Sequence, residues 1–249
     1  MTDQYKKLAL VYDYLMEHVD YEAWLQYVEE IMTNFHRSGQ KIIDLACGTG
    51  NTTIPFAKRG YQAVGIDISG EMLAKAREKA AQEGIEVLFS QQDMRQLKVG
   101  FQADIITCYQ DGLNYLLSSD DLKTVFARVG EHLAPNGLFI FDLNAVEKLQ
   151  RSTGETTVLD EERMTLIWEN NYDQDQDIWE IQLTGFIKQG EHYEKFKEVH
   201  REKAYQTAEI AKYLKEAGLK LLGVYHAFTL EQAGQQTRRL CYVAEHAKE

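Results

Sequence analysis

Apolar residues recur at helical spacing near the start of the chain, over residues 8–35. Leu8, Val11 and Leu15 form a first series, and a second series runs from Trp24 to Phe35. Asp20 separates the two, and aspartate is a residue type that caps helix N-termini. The pattern therefore predicts two amphipathic helices.

From residue 41 onward, short apolar runs alternate with helical patterns. Gly60 and Gly84 stand where C-terminal caps belong, and the sequence Pro135-Asn136-Gly137 predicts a turn. Alternating strands and helices are typical of a parallel sheet with helices on both faces. The predicted strands are 42–46, 63–66, 86–90, 103–108 and 138–141, and the predicted helices are 52–59, 69–83 and 119–133.

The pattern changes after residue 144. Trp179, Ile181 and Leu183 alternate with Glu180 and Gln182, which is the period of an antiparallel strand with one solvated side. We predict one α/β domain, formed by 1–145 and 206–249, that is interrupted by an antiparallel β insertion over 146–205. The insertion has predicted strands at 162–170, 177–189 and 192–203, and a helix at 207–217 and strands at 220–228 and 236–244 complete the domain.

Composition narrows the class of protein. The chain of 249 residues is 44% apolar and carries a formal net charge of −12, which disfavours bulk nucleic acid and anionic membranes as partners. The N-terminus shows no secretory pattern and no apolar run approaches bilayer length, so we expect a cytoplasmic protein, as a monomer or homodimer. Cys47, Cys108 and Cys241 lie in apolar runs without metal-ligand spacing, so we predict buried thiols and no metal site.

The strongest local motif follows the first strand of the predicted sheet. That strand ends in Asp44 and continues into a Gly48-Thr49-Gly50 turn that opens a helix. Open α/β sheets bind ligands at the carboxyl ends of such strands. A dinucleotide fingerprint would require a small residue at Thr53, and Asp44 would oppose a pyrophosphate, so the motif fits an amino-bearing ligand better.

Two further carboxylates end the next two strands. Asp67 follows Gly50 by 17 residues, where an acid accepts the hydroxyl protons of a ribose. Asp93 follows the third strand, where a carboxylate can accept an adenine amino proton. A solvated acid at a strand end is the alternative for each one singly. Together with Asp44 they predict a nucleoside site on one edge of the sheet.

Four segments together resemble the class I S-adenosylmethionine-dependent methyltransferases, and most closely the small bacterial members with a β insertion after the fifth strand. Ala46 departs from the glycine that many members carry, a minimal change for the turn. The resemblance implies a Rossmann-like seven-stranded sheet of order 3-2-1-4-5-7-6 with the last strand antiparallel, and S-adenosylmethionine as cofactor. The segments are Asp44-Leu-Ala-Cys-Gly-Thr-Gly50, Asp67-Ile-Ser69, Gln92-Asp93-Met94 and Ala103-Asp-Ile-Ile-Thr107.

The resemblance also implies positions for the cofactor. The loop from Ala46 to Gly50 would pass under the methionyl part, with Asp44 near its amino group and Asp67 on the ribose. Tyr5 or Tyr12 would reach the cofactor carboxylate, although a helix tyrosine is more often packing. The implied cofactor residues are Tyr12, Asp44, Ala46, Cys47, Gly48, Gly50, Asp67, Ile68, Met72, Gln92, Asp93, Met94 and Tyr109.

Methyl transfer from a sulfonium requires alignment and exclusion of water more than a catalytic triad. Tyr109, Asp111 and His200 are the candidates for a base that removes an acceptor proton. Candidate substrate residues are Asn114, which follows the fourth strand, Trp168 in an aromatic lid, and Arg201 beside His200.

Several alternatives remain open at this point. His200 fits an exposed strand position and the tryptophans fit a core. A nicotinamide-dependent oxidoreductase and a non-catalytic cofactor-binding module are the alternative functions. We expect a small-molecule acceptor, whose identity the sequence does not give.

Overall fold

The computed structural model describes residues 5, 7–151, 153–234 and 236–247, which form two β-sheets and seven α-helices. The strands are β1 Lys41–Leu45, β2 Gln62–Asp67, β3 Leu88–Gln91, β4 Ala103–Cys108, β5 Leu133–Asn144, β6 Thr156–Glu161, β7 Met164–Asp173, β8 Ile178–Gln189, β9 His192–Lys203, β10 Leu219–His226 and β11 Arg239–His246. The helices are α1 Tyr12–Leu15, α2 Tyr21–Asn34, α3 Thr53–Lys58, α4 Gly70–Gln82, α5 Ser119–His132, α6 Val146–Arg151 and α7 Thr207–Glu216.

The larger sheet has seven strands in the order β10-β11-β5-β4-β1-β2-β3. The first five strands of the chain pair in parallel, whereas β11 is antiparallel to both β5 and β10. This confirms the predicted order 3-2-1-4-5-7-6 with an antiparallel last strand. Because parallel strands share a carboxyl edge, the ends of β1, β2, β3 and β4 lie side by side.

Two apolar layers enclose this sheet. Phe126 of α5 packs against Phe139 and Phe141, and the Phe141 ring stacks on Tyr242 of β11 at 5.0 Å. On the opposite face, α2 and α3 cover β1 and β4, with Trp24 4% exposed. Burial of each such ring contributes roughly 1.5–3 kcal/mol. These two layers fix the positions of the strand ends.

Local signals in the sequence explain the helix boundaries. Asp20 accepts a hydrogen bond from the Ala23 amide at 2.9 Å, and Ser69 caps α4 through the Met72 amide at 3.2 Å. Gly60 and Gly84 adopt φ of +87° and +67° directly after their helices, a conformation that glycine tolerates best. The caps predicted at Asp20, Gly60 and Gly84 are therefore present, whereas Ser69 was not predicted as a cap.

The structure differs from the predicted elements at several places. The first predicted helix consists of a 3-10 turn, Leu8–Leu10, and the four residues of α1. β5 begins at Leu133, and its register with β4 shifts where the predicted turn at Pro135 lies. α6 follows β5 directly and has too few residues to show a periodic pattern.

The second sheet is an antiparallel meander in the order β6-β7-β8-β9. Only three of its strands were evident in the pattern, because β6 is exposed along most of its length and lacks one-sided alternation. Its inner face carries Met164, Leu166, Leu183 and Phe196, and Leu8 packs into the same cluster. The beginning of the chain thus covers the apolar face of the insertion. No helix in the described part of the chain has the length and apolar character required to cross a membrane.

Candidate active site

A cavity of about 360 Å³ opens at the carboxyl ends of the parallel strands. Its volume lies in the range of small-molecule sites. Nine of the thirteen predicted cofactor residues line it, so the fold brings together positions that are far apart in sequence. These nine are Tyr12, Ala46, Gly48, Asp67, Ile68, Met72, Gln92, Asp93 and Met94, and the walls also include Tyr5, Gln110, Gly112, Tyr115, Leu116 and Asp121.

The two glycines of the loop after β1 have different surroundings. Gly48 has φ of +53°, and a Cβ added there would meet nothing within 4 Å, so its backbone faces open space in the cavity wall. Gly50 has φ of +78°, but a Cβ added there would meet the Phe89 ring at 3.0 Å and Ala76 at 3.2 Å. Gly48 therefore exposes backbone to a ligand, whereas Gly50 lets the loop pack on the core.

Asp67 links the end of β2 to the glycine loop. Its carboxylate accepts hydrogen bonds from the amides of Gly48 and Ser69, both at 2.8 Å. Burial raises the pKa of Asp67, and these two amide bonds oppose that rise. A carboxylate offers about four acceptor positions, so acceptor capacity remains for hydroxyl groups in the cavity.

Asp44 lies below the loop and is 1% exposed. It accepts hydrogen bonds from the hydroxyls of Thr52 at 2.5 Å, Thr53 at 2.6 Å and Thr107 at 2.8 Å. Burial raises its pKa, and the threonines counteract this. Asp44, Cys47 and Tyr12 adjoin a side pocket of about 30 Å³ beside the main cavity. Thr53, which breaks the dinucleotide fingerprint, thus supports Asp44.

Asp93 lies on the rim of the cavity in an ion pair with Arg95 at 2.6 Å. Arg95 also reaches Asp121 at 3.1 Å, another residue of the cavity wall. Hydrogen bonds from Arg95 lower the pKa of Asp93, so the carboxylate is ionised at neutral pH. Asp93 and Met94 line the same cavity as Ile68 and Met72.

The N-terminal strap, which we define as Tyr5 and residues 7–15, forms another part of the cavity wall. Its far end is fixed by Asp13, which accepts hydrogen bonds from Thr49 at 2.5 Å and from Asn51 and Lys79, both at 3.0 Å. Tyr5 and Tyr12 face the cavity. Asp13 was not among the predicted site residues, because its position in a short helical turn gives no local signal for this contact.

A chain of hydrogen bonds runs from the cavity into the inserted sheet. The hydroxyls of Tyr5 and Tyr115 are 2.5 Å apart, and the Tyr115 hydroxyl is 3.4 Å from Nδ1 of His200. Nε2 of His200 is 3.1 Å from a carboxylate oxygen of Glu198. His200 is 4% exposed, so it occupies the inner face of the insertion and not the solvated face of a strand. Tyr115 and Glu198 were not predicted as site residues.

Asp111, the second candidate base, turns away from the cavity. It has φ of +57° and forms an ion pair with Arg239 at 2.7 Å, and Arg239 also binds Asp142 at 3.0 Å. Glu202, on the same strand as His200, accepts a hydrogen bond from Asn144 at 2.8 Å. Burial, reinforced by the Asp111 charge, raises the pKa of Glu202 well above its ordinary range.

The remaining predicted residues lie outside the main cavity. Tyr109 borders the side pocket, packs edge-on against Trp24 at 4.4 Å, and has a hydroxyl without a hydrogen-bond partner in the described residues. Burial raises its pKa well above its ordinary range, which disfavours it as a base. Asn114 is fully buried and donates to the Lys203 carbonyl at 2.8 Å, so it joins the insertion to the main domain.

The structure does not place Arg201 and Trp168 on the cavity wall. Arg201 is adjacent to His200, and because side chains alternate along a strand it lies on the opposite face, where it pairs with Glu180 at 2.8 Å. Trp168 packs against the cluster around Leu166 within the inserted sheet. Arg201 and His200 therefore do not lie together at the cavity mouth as predicted, because neighbouring residues of a strand point to opposite faces.

Comparisons with known proteins agree with this geometry. A family model described as a methyltransferase domain matches residues 42–137. The chain is 34% identical over 247 residues to YqeM, a methyltransferase-family protein of Bacillus subtilis (strain 168), covering 98% of each chain. It is 27% identical to the dTDP-3-amino-3,4,6-trideoxy-alpha-D-glucopyranose N,N-dimethyltransferase of Streptomyces venezuelae, over 54% of this chain and 56% of the relative.

A solved structure gives the same assignment. The crystal structure of an S-adenosylmethionine-dependent methyltransferase from Clostridium acetobutylicum ATCC 824 superimposes with a TM-score of 0.89 at 33% identity, covering 98% of this chain and 99% of that one. These similarities do not support the oxidoreductase alternative. Full-length similarity in sequence and fold, together with the cavity at the glycine loop, shows that the chain belongs to the class I S-adenosylmethionine-dependent methyltransferases.

Proposed function

We propose that this protein transfers a methyl group from S-adenosylmethionine to a nitrogen atom of a small polar molecule, with His200 receiving the displaced proton through Tyr115. One observation carries the proposal. The cavity that contains Gly48 and Asp67 also contains Tyr5 and Tyr115, whose hydroxyls are linked to His200. The site for the methyl donor and the path for the proton therefore lie in the same cavity.

The residues of the cavity fit the cofactor. The open space at the Gly48 Cα admits a ligand against the backbone, and the free acceptor capacity of Asp67 suits a vicinal diol. Ile68 and Met72 offer apolar surface for a planar base, and Asp93 lies at the edge of that surface. On this proposal Asp67 holds the ribose and Asp93 with Met94 binds the adenine edge.

S-Adenosylmethionine, when bound, supplies an electrophilic methyl carbon on a positively charged sulfur. The acceptor nitrogen would take this methyl group while the electron pair of the carbon–sulfur bond stays on sulfur, and His200 would receive, through Tyr115, the proton that the acceptor loses. The contribution of the protein is alignment of the reactants and exclusion of water. Tyr5 and Tyr12, which belong to the N-terminal strap, form the part of the cavity wall that keeps solvent out.

The geometry of His200 suits proton acceptance. The pKa of Glu198 is lowered, because hydrogen bonds from His200 and from three amides outweigh the opposing effect of burial, so its carboxylate is ionised. An ionised carboxylate only accepts hydrogen bonds, and Nε2 of a neutral His200 therefore carries the proton. Nδ1 is then free to accept from the Tyr115 hydroxyl. A proton leaving the acceptor nitrogen can pass by this route.

A nitrogen acceptor is supported by the relatives and by charge. The Streptomyces venezuelae relative is named as an N,N-dimethyltransferase acting on an amino sugar nucleotide. Near Tyr5 and Tyr115, Asp111 is paired with Arg239, so this cluster gives no clear preference for the charge of the acceptor. The formal net charge of −12 over the whole chain favours a neutral or cationic acceptor over a phosphorylated one.

We further propose a division of labour between the two sheets. The parts 1–145 and 206–249 would bind the donor, and the insertion 146–205 would cover and select the acceptor. The placement of His200 on the inner face of β9 supports this division.

Calorimetric titration tests the donor site directly. We expect S-adenosylmethionine and S-adenosylhomocysteine to bind the wild-type protein and NAD not to bind. Release of S-adenosylhomocysteine should then be measured with a panel of amino sugars, amino acids and small amines, against matched hydroxyl and phosphate compounds. Turnover confined to the amines, with kcat reduced at least tenfold in Tyr115→Phe and His200→Gln, supports the proposal, and turnover confined to hydroxyl compounds contradicts it.

A further inference from the structure

We propose that Glu198 is a positioning residue that closes the N-terminal strap over the donor cavity and, with the same carboxylate, orients His200. The inference rests on the proposed function, since it takes the cavity to be the donor site. Through this one side chain, closure of the strap over the methyl donor is coupled to the orientation of the histidine that accepts the proton.

All four acceptor positions of this carboxylate are occupied. One oxygen accepts from the amides of Lys7 at 3.0 Å and Leu8 at 3.1 Å, and the other accepts from the amide of Tyr5 at 2.9 Å and from His200 at 3.1 Å. Glu198 is 7% exposed. A buried carboxylate with every lone pair used is a strong and directional contact.

The three amides are those that the strap itself leaves unpaired. Within the strap, the amides of Ala9, Leu10 and Val11 bond back to Tyr5, Lys7 and Leu8, as in any helical turn. The first amides of such a turn have no partner inside it, and a capping side chain usually supplies one. Here a residue 190 positions away provides the cap, so the turn is complete only when the strap lies against β9.

The closed strap also forms the wall of the cavity. Tyr5 presents its ring to His200 at 4.8 Å between centroids and its hydroxyl to Tyr115. Tyr5 has φ of +63°, an uncommon conformation for a residue with a side chain, and the bond from its amide to Glu198 holds it there. Release of the strap would therefore open the cavity and break the tyrosine contact together.

The same carboxylate determines which nitrogen of His200 faces the cavity. While Glu198 accepts from Nε2, the Nδ1 lone pair points to Tyr115. When the strap leaves, Glu198 loses three of its four donors and becomes exposed on the inner face of the insertion. In the closed state Nδ1 of His200 is therefore held toward Tyr115 while the methyl donor is enclosed.

The chain offers a matched control on the same strand face. Glu194 forms an ion pair at 2.6 Å with the ammonium group of Lys7, and both side chains are over 40% exposed. Surface pairs of this kind contribute little to stability. Glu194→Gln therefore changes the same charge, next to the same strap, without touching its amides.

The test compares Glu198→Gln with Glu194→Gln, using S-adenosylhomocysteine as the probe. The side-chain NH2 group of glutamine donates hydrogen bonds and cannot accept them. It would replace one carboxylate oxygen of Glu198, so at least two of the four hydrogen bonds would be lost. In Glu198→Gln we expect exchange at the amides of Tyr5, Lys7 and Leu8 to accelerate by roughly tenfold or more, and the dissociation rate of the probe to rise by a similar factor. Glu194→Gln should match the wild type in both.

Two further variants separate the proposal from a general loss of structure. His200→Gln should keep the amides protected, because Glu198 retains its three backbone donors. In a chain lacking residues 1–8, Glu198→Gln should add nothing to the dissociation rate, since the contact is already absent. Additive effects there, or unchanged exchange in the full-length Glu198→Gln, would overturn the assignment. Failure of the wild type to bind the probe would instead contradict the proposed function.

Discussion

Glu198 and Glu202 lie on the same face of β9, four residues apart, and their carboxyl groups have opposite environments. Glu198 has four hydrogen-bond donors, which lower its pKa despite burial. Glu202 accepts a hydrogen bond from the side-chain amide of Asn144. Burial and the nearby negative charge of Asp111 raise the pKa of Glu202 well above its ordinary range. One strand thus carries a carboxyl group with a lowered pKa toward the strap and one with a raised pKa toward the main domain.

The pH dependence of stability should differ between the two sites, beginning with Glu202. A raised pKa means that the folded state holds a proton that the unfolded state releases above about pH 4.3, so ionisation reduces stability as pH rises from that value toward the folded pKa. Glu202→Gln mimics the protonated form. We expect its melting temperature to exceed that of the wild type at pH 7 and to match it below about pH 4. A lower melting temperature at pH 7 would show that Glu202 is ionised.

Glu198→Gln should show the opposite sign. A lowered pKa contributes stability that is present above the ordinary glutamate pKa and is lost as pH falls through the folded value. We expect the variant to melt below the wild type at pH 7, with the difference shrinking as the pH approaches 3. A constant difference across the range would indicate loss of packing and not of a charge.

Asp67→Asn should weaken binding of S-adenosylmethionine. The asparagine amide would face either the Gly48 or the Ser69 amide, and the charge that strengthens bonds to a diol would be lost. Hydrogen bonds to charged groups contribute roughly 1.5–3 kcal/mol each, so we expect at least a tenfold rise in Kd by calorimetry. Glu71→Gln, on the exposed first turn of α4, is the control. Equal affinities in the two variants would remove Asp67 from the site.

Gly48→Ala should separate ligand contact from backbone strain. Gly48 and Gly84 both have positive φ and open space around an added Cβ, but only Gly48 lines the cavity. Left-handed backbone costs a non-glycine residue roughly 1–2 kcal/mol, so both alanine variants should lose similar stability. We expect only Gly48→Ala to lose affinity for S-adenosylmethionine. If Gly84→Ala weakens binding as much, the loss reflects stability alone.

Replacing residues 160–203 with a short Gly/Ser linker tests the division between the sheets. The two apolar layers around the main sheet include none of these residues within the described chain, so we expect a cooperative melt. Leu8 would lose its cluster and the strap its cap, so binding of S-adenosylmethionine should weaken without vanishing, and turnover should disappear. Non-cooperative melting would show that the insertion is part of the core.

The sequence by itself determined the main sheet and most of the donor site. The alternation of strands and helices, the caps at Asp20, Gly60 and Gly84, and the glycine turn are local signals, because each depends on neighbours along the chain. The carboxyl ends of parallel strands share one edge, so Asp67 and Asp93 could be placed near each other without coordinates. The weakly patterned elements, β6 and α6, escaped prediction for the corresponding reason.

Only the tertiary structure decided which residues complete the chamber. The contact of Glu198 with the amides of Tyr5 and Leu8 spans 193 and 190 positions, and no local pattern encodes a pairing at that distance. The strand period could place His200 and Arg201 on opposite faces, but it could not say which face meets the cavity. Packing of the inserted sheet on the N-terminal strap determines which face this is, because the apolar cluster on the inner face of the sheet also contains Leu8 of the strap.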